Sequence, residues 1–172
     1  MYKYFTDIIK ECKQERSFAK WLESVAAKSK ELAYENRRTI YKSDVQDEID
    51  RIKTFANAYK QLKALIKKGK VTDVIIRMDR KGYIKFTLVF PISQEEFNQA
   101  REYRRKKIKE IGQYGDLCVD FDSCVWELCK ARVHKMLPNF NMCDCPSYPY
   151  YPQWGSEPLS RQIDIHRVIK KS

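Results

Sequence analysis

The chain has 172 residues, of which 43% are hydrophobic and 13% aromatic, so it can bury a core and does not have the composition of a disordered chain. It contains only five glycines, and neither the GxGxxG nor the GxxxxGK[ST] pattern occurs, which argues against the common phosphate-binding loops. No apolar run approaches the ~20 residues that span a bilayer, and charges stand where a secretion signal needs an apolar stretch. We therefore expect a cytoplasmic protein.

Net charge is the strongest compositional signal. The formal value is +11, and the cationic excess lies in the first two thirds of the chain, while the last third is nearly neutral. The positive charge is therefore distributed over most of the domain and is not confined to a terminal tail. Such a field favours a polyanion or an acidic protein as the partner.

The first part of the chain predicts helices. Two apolar stripes at helical spacing within the first 35 residues do not line up, so we expect a break near Ser17, with Ser17 as an N-cap. Ser43, followed three residues later by Gln46, has the spacing of a capping box. The long helix that it opens is predicted to run to about Lys68 and to end at Gly69, a suitable C-cap.

A β-hairpin is predicted next. Two β-rich segments, 71–78 and 83–90, flank a turn in which Gly82 supplies the left-handed residue. Ser93 and Glu96 then form a second capping box, which predicts a helix to about Ile111. A short third strand is expected over 116–121 because apolar and polar residues alternate there. A further helix, capped by Asp122 or Ser123, should end at Leu137.

These elements predict an α+β fold, in which a helix-rich single domain of residues 1–172 carries a small antiparallel sheet built on the hairpin. We expect four parts along the chain: a helical part of three helices (1–70), a ββαβα part (71–137), an irregular arm rich in proline and aromatics (138–158), and a terminal strand or helix (159–172). No internal repeat is visible.

The most concentrated charge is on the helix predicted after Ser93. Six cations fall within residues 101–109, and at 100° per residue Arg104 lies in the apolar stripe of Phe97, Ala100, Ile108 and Ile111. An arginine there needs an internal acid or carbonyl, or else a phosphate or an acidic partner. We expect an anion-binding surface formed by a set of basic side chains: Arg101, Arg104, Arg105, Lys106 and Lys109.

Two further sets of cations extend this hypothesis. Lys53, Lys60 and Lys67 are spaced seven residues apart, so they lie along one edge of the long helix, where they form either a phosphate-binding row or a solubilising ridge. Arg77 and Lys85, with Tyr83 nearby, lie on the polar face of the hairpin. Such a face either stacks bases of a single strand or is covered by a helix.

Metal and catalytic sites are not expected. The side chains of Cys124 and Cys129 point in different directions on a predicted helix, and these residues lack the CxxC spacing of structural zinc sites. A site that joins Cys143 and Cys145 to a histidine is an alternative that the sequence leaves open. The acidic residues Asp116, Asp120, Asp122 and Glu127 suggest a divalent-ion site, but helix capping and turn formation explain them as well. We therefore predict no catalytic residue, no metal and no cofactor.

Three functions follow, in order of preference. The first is a non-catalytic nucleic-acid-binding protein that grips a phosphate backbone through the 101–109 helix and the lysine row. The second is a small interaction or inhibitor protein, of the kind found in phages and mobile elements, that binds a nucleic-acid-handling complex. The third is a metal-dependent nuclease. Residues 146–154 of the arm, with prolines between aromatics, either fold back over the sheet and cover its own core or suit a partner groove or a homodimer contact.

Overall fold

A computed structural model describes the backbone of residues 1–37, 42–143 and 160–168, and the side chains of residues 1–37 and 46–140. Within these ranges the helices are α1 (Phe5–Glu11), α2 (Glu15–Glu35), α3 (Lys42–Asn57), α4 (Tyr59–Lys67), α5 (Gln94–Ile111), α6 (Gly115–Cys118) and α7 (Phe121–Met136). The strands are β1 (Tyr2–Tyr4), β2 (Asp73–Met78), β3 (Ile84–Pro91), β4 (Phe140–Cys143) and β5 (Ser160–Val168).

The strands form one antiparallel sheet in the order β1-β2-β3-β5-β4. The predicted hairpin is its centre: β2 and β3 pair with Ile76 opposite Phe86, and Phe86 in turn lies opposite Ile165 of β5. The predicted α+β class is therefore confirmed. The terminal segment, for which the sequence left strand and helix open, is a strand inserted between β3 and β4.

One face of the sheet and the helices share the main core. Alternate residues of β3, among them Phe86 and Phe90, are fully buried, and Phe55 of α3 stacks on Phe86 with ring centroids 4.0 Å apart. Phe140 of β4 lies against the same Phe55 ring at 4.7 Å. Burial of aromatic rings from three separate elements links the helical part to the central strand β3 and the edge strand β4.

The N-terminal region differs from its prediction. The break between α1 and α2 lies at residues 12–14, so Ser17 is inside α2 and is not its N-cap, a position that Gln14 takes without a side-chain cap. The earlier break is fixed by tertiary contacts, because the Tyr59 hydroxyl donates to the Cys12 carbonyl at 2.8 Å. Strand β1 was not predicted, since three residues are too few to show alternation.

The long helix predicted from Ser43 to Lys68 is interrupted at Ala58, which separates α3 from α4. Its end is confirmed: Gly69 has φ +66°, and the Lys70 N–H donates to the Leu65 carbonyl at 2.9 Å. The helix begins at Lys42, one residue before Ser43. Ser43 is therefore the second residue of α3 and not its N-cap, so the predicted start of the helix is wrong by this margin.

The predicted third strand at 116–121 is wrong. Residues 115–118 form the short helix α6, and Leu117 is 87% exposed, so the alternating pattern does not bury an apolar face. Gly115 fixes this turn against the end of α5, since an added Cβ would clash with the Ile108 backbone. The predicted cap of the next helix is also wrong: Asp120, and not Asp122 or Ser123, accepts from the Ser123 N–H at 2.8 Å.

The predicted irregular arm begins with strand β4 at Phe140–Cys143, which corrects its N-terminal boundary. Apolar residues on this strand were hidden among the prolines and aromatics that follow. The remainder, including the proposed homodimer contact at 146–154, lies outside the described residues. That contact stays a prediction.

Gly82 is restricted in two ways, which makes the hairpin turn sensitive to substitution. Its φ is +80°, and an added Cβ would fall inside van der Waals contact of the Ser29 carbonyl oxygen on α2. The Ser29 hydroxyl also donates to the Gly82 carbonyl. Gly69 has a similar φ, but an added Cβ there would meet nothing within 4 Å.

We predict that Gly82→Ala lowers the free energy of unfolding by about 3 kcal/mol, because left-handed strain of about 1–2 kcal/mol adds to displacement of packed backbone. Gly69→Ala, with the strain alone, should cost about 1 kcal/mol. Urea unfolding of both variants measures the difference. Equal unfolding midpoints for the two variants would contradict the close contact between the turn and α2.

Candidate nucleic-acid interface

Helix α5 carries the cations that the sequence singled out, and it begins as predicted. The Ser93 hydroxyl accepts from the Glu96 N–H at 3.0 Å, and the Glu96 carboxylate accepts from the Ser93 N–H at 2.9 Å, so both halves of the capping box are present. The helix ends at Ile111, followed by Gly112 with φ +82°. Local sequence therefore sets both ends of this helix.

Glu96 also joins α5 to α7. Its Oε1 accepts from Arg132 Nη2 at 2.8 Å and from Arg132 Nε at 3.1 Å. The same guanidinium donates to the Pro91 carbonyl at 3.2 Å and lies over the Phe90 ring at 5.6 Å. One planar guanidinium thus ties the first turn of α5 to the end of β3 and to α7, which a lysine could not do with equal geometry.

The surroundings of Glu96 change its acidity. Partial burial alone would raise the pKa of the Glu96 carboxyl, but the Ser93 N–H and the Arg132 guanidinium outweigh burial and hold that pKa below its ordinary value. A carboxyl whose pKa is lower in the folded than in the unfolded chain stabilises the fold above the unfolded pKa, about 4.3 for glutamate. This stabilisation is lost as the pH falls through the folded pKa.

We predict that Glu96→Gln lowers the free energy of unfolding at pH 7 and that its difference from the native chain shrinks below about pH 4, where the native carboxyl is protonated too. Urea unfolding at pH 7 and pH 3 measures both differences. Glu95→Gln, at the neighbouring exposed acid in the first turn of α5, is the control and should show little effect. A Glu96→Gln deficit that stays constant across this pH range would show that the ion pair is not its source.

Arg104 finds its partners inside the chain. Its Nε donates to the Val119 carbonyl at 2.9 Å, Nη2 donates to the Asp116 carbonyl at 3.3 Å, and the Asp116 carboxylate lies 3.7 Å away. The requirement that suggested an external anion for this residue is thus met by α6 and the segment before α7. The hydrogen bonds of Arg104 thus connect α5 to that segment.

The predicted inward stripe of α5 is narrower than expected. Ala100 is its one fully buried residue, Phe97 and Ile108 are partly buried, and Ile111 is 51% exposed. The physical reason is that α5 packs on α6 and α7, at the periphery of the main core. The helix therefore presents a wide exposed side to solvent.

Four exposed cations occupy that side and are here called the α5 surface: Arg101, Arg105, Lys106 and Lys109. Arg105 pairs with Glu102, whereas Arg101, Lys106 and Lys109 make no ion pair within the described part of the chain. Arg101, Arg105 and Lys109 follow one another at intervals of four residues. They form a ridge with steps of about 6 Å along the helix.

The lysine row is exposed but divided. Lys53 is on α3, Lys60 and Lys67 are on α4, and the interruption at Ala58 lies between them. Lys60 pairs with Glu15 of α2 at 3.2 Å. Since α4 packs on α2 and α3 while α5 packs on α6 and α7, the lysine row and the α5 surface rest on different groups of helices.

The polar face of the hairpin gains two aromatic rings from β1. Arg77 lies opposite Lys85 on one side and Tyr2 on the other, and its Nη2 donates to the Thr87 hydroxyl at 2.8 Å. Tyr2 is 51% exposed, and its ring lies 5.4 Å edge-on from that of Tyr4, which is 39% exposed. Lys85 is exposed as well. Neither β1 tyrosine was predicted at this surface, because three residues are too few to indicate a strand.

The acidic residues considered for metal binding are engaged separately. Asp120 caps α7, Asp116 faces Arg104, and Glu127 pairs with Lys130 at 2.6 Å. Among the residues that the structure describes, no three histidine, cysteine or acidic side chains are grouped so as to hold a metal ion. The third functional hypothesis, a metal-dependent nuclease, therefore finds no ligand cluster in this part of the chain.

Two of the four described thiols are packing groups, whereas Cys118 is exposed. Cys124 and Cys129 are buried in the core, and burial raises the pKa of both. A raised pKa keeps the thiol protonated, which disfavours both metal binding and nucleophilic attack. The proposed site at Cys143 and Cys145 lies outside the described side chains.

A cationic cleft was also missed by the sequence analysis. It lies where the α1–α2 break meets the interruption between α3 and α4, and its rim carries Lys13, Arg16, Lys60 and Lys63. The pair Lys13 and Arg16 is more than forty positions from the pair Lys60 and Lys63 in the sequence, so no local pattern indicates that they are close. The contact between Tyr59 and Cys12 brings the two segments together.

No protein-family model, curated protein sequence or solved structure matches this chain. Over residues 1–37, 42–143 and 160–168, no helix combines the length and the apolar character needed to cross a bilayer. Function must therefore be argued from the charged surfaces themselves.

Proposed function

We propose that this protein is a non-catalytic nucleic-acid-binding protein that contacts the phosphate backbone through the α5 surface. The main support for the proposal is a group of exposed cations without an ion-pair partner. Arg101, Lys106 and Lys109 are exposed on one helix and make no ion pair among the described residues. The sequence also favours a cytoplasmic location for this function.

The spacing of the ridge fits a polyanion. Like charges four residues apart on a helix destabilise it, by about 0.2–0.5 kcal/mol per pair, unless a counter-charge is present. Double-stranded DNA supplies one negative charge per ~1.7 Å of its axis, so a ridge about 12 Å long faces several phosphates. Contacts of this type position a nucleic acid without reading its sequence.

Arg104 is left out of the proposed contact surface because its donors already serve Val119 and Asp116. Arg77 is left out for a related reason, since its guanidinium is directed along the sheet to Thr87. Lys85 lies in register with the exposed ring of Tyr2, and this end of the face is a secondary surface on which bases of a single strand could stack. Further along the same face Ile75 and Thr87 are buried, so the surface does not extend over the whole hairpin.

An acidic protein is the alternative partner, because a carboxylate-rich surface offers the α5 cations the same charge. The two partners differ in how densely and regularly their charges are spaced. Binding to random-sequence nucleic acid separates them. An absence of such binding at low salt would overturn the proposal and favour the protein partner.

We predict that the double variant Lys106→Glu and Lys109→Glu weakens binding to random-sequence DNA and RNA by about tenfold or more, because two phosphate contacts become repulsive. Fluorescence anisotropy of a labelled oligonucleotide at about 0.1 M salt gives the dissociation constants. Thermal unfolding checks that the variant is folded.

The matched control is Lys20→Glu with Lys30→Glu, two exposed lysines on α2. This variant changes the net charge by the same amount at a different place. We expect a loss of affinity less than about threefold, which the long-range field alone supplies after screening. Equal losses for both double variants would show that the overall charge, and not the α5 surface, binds the nucleic acid.

A further inference from the structure

The second cationic feature is an open cleft of about 730 Å³ between two helix breaks. One wall is the junction of α1 and α2, which contributes Lys13 and Arg16. The other wall is the start of α4, which contributes Lys60 and Lys63. This volume lies within the range of about 300–1,000 Å³ that holds small-molecule ligands.

The charges of this cleft are not balanced. Glu15 is its single acid, and it pairs with Lys60 at 3.2 Å. Lys63 Nζ lies over the Tyr59 ring at 5.2 Å from its centroid. Lys13 and Arg16 make no ion pair within the described residues. Three cations therefore surround one cleft without a carboxylate partner, an arrangement that an anion would relieve.

The cleft walls are held in place by the core. Tyr59 is buried, its hydroxyl donates to the Cys12 carbonyl, and its ring packs on Phe5 and Phe18 at 5.9 and 5.3 Å. The first turn of α2 opens beside this contact, and its N-cap Gln14 makes no side-chain cap, so helix N–H groups add to the positive potential. The backbone positions that carry these cations are therefore set by the core before an anion binds.

We propose that this cleft binds a phosphate monoester carried on a molecule of nucleotide size. A phosphate monoester has a charge of about −1.5 to −2 near neutral pH, against −1 for a backbone diester, so it gains more from three uncompensated cations. The floor includes Ala19 and Ala56, which offer an apolar contact to the rest of the ligand. The proposal is independent of the α5 surface, so either can fail without the other.

The direct test is titration calorimetry of the full chain with a nucleoside 5′-monophosphate, with the nucleoside and inorganic phosphate as reference probes. We expect the monophosphate to bind and the nucleoside not to bind. The double variant Lys13→Ala with Arg16→Ala should weaken binding about tenfold, since two charge-assisted contacts are lost. Lys20→Ala with Lys30→Ala, which removes the same charge from α2 outside the cleft, should leave binding unchanged.

Glu15→Gln gives a test of opposite sign. It removes the only carboxylate of the cleft and releases Lys60, so the monophosphate should bind more tightly, which a misfolded variant could not do.

Comparison of oligonucleotides with a 5′-phosphate and a 5′-hydroxyl identifies the source of the phosphate group. A preference for the 5′-phosphate that is abolished in the Lys13→Ala with Arg16→Ala variant indicates that strand ends are bound. Equal binding of the two oligonucleotides indicates that free nucleotides are bound. Equal binding of monophosphate and nucleoside, no binding of either, or weaker binding by Glu15→Gln would overturn the proposal.

Discussion

The ion pair between Glu96 and Arg132 determines how the basic helix is presented. Its carboxylate completes the capping box of α5, and its guanidinium extends from α7 to the Pro91 carbonyl and the Phe90 ring at once. Only Ala100 of α5 is fully buried, and Phe97 adds a ring contact with Phe121 of α7 at 5.1 Å. Directional hydrogen bonds at the helix start, and those of Arg104 further along, add to this limited apolar packing.

The cations on and around α5 fall into two groups, those that bind groups within the chain and those that face solvent. Arg104 and Arg132 are about one third exposed and donate to carbonyls and carboxylates within the chain, whereas Lys106 and Lys109 are exposed and make no ion pair within the described residues. A planar guanidinium suits the first role and a flexible ammonium the second. The arrangement keeps like charges close together on one helix, and the proposed polyanion partner would offset the resulting repulsion.

Features set by local sequence were predictable, and features set by distant contacts were not. The capping box of Ser93 and Glu96, the C-cap at Gly69 and the turn at Gly82 each depend on a few neighbouring residues, and all three are confirmed. The α1–α2 break was misplaced because the contact of Tyr59 with Cys12 spans 47 positions. The cationic cleft was not predicted because its two walls are equally far apart in the sequence. The exposed cations of α5 were predicted, because helical periodicity shows which residues of a helix face solvent.

The salt dependence of nucleic-acid binding by the native chain tests the central claim most directly. Each phosphate neutralised in B-DNA contributes about −0.9 to the slope of log K against log salt concentration. Four exposed cations on the α5 surface therefore predict a linear fall with a slope between about −3 and −4 for random-sequence duplex DNA. A slope near zero, or no binding at low salt, would contradict phosphate recognition by α5.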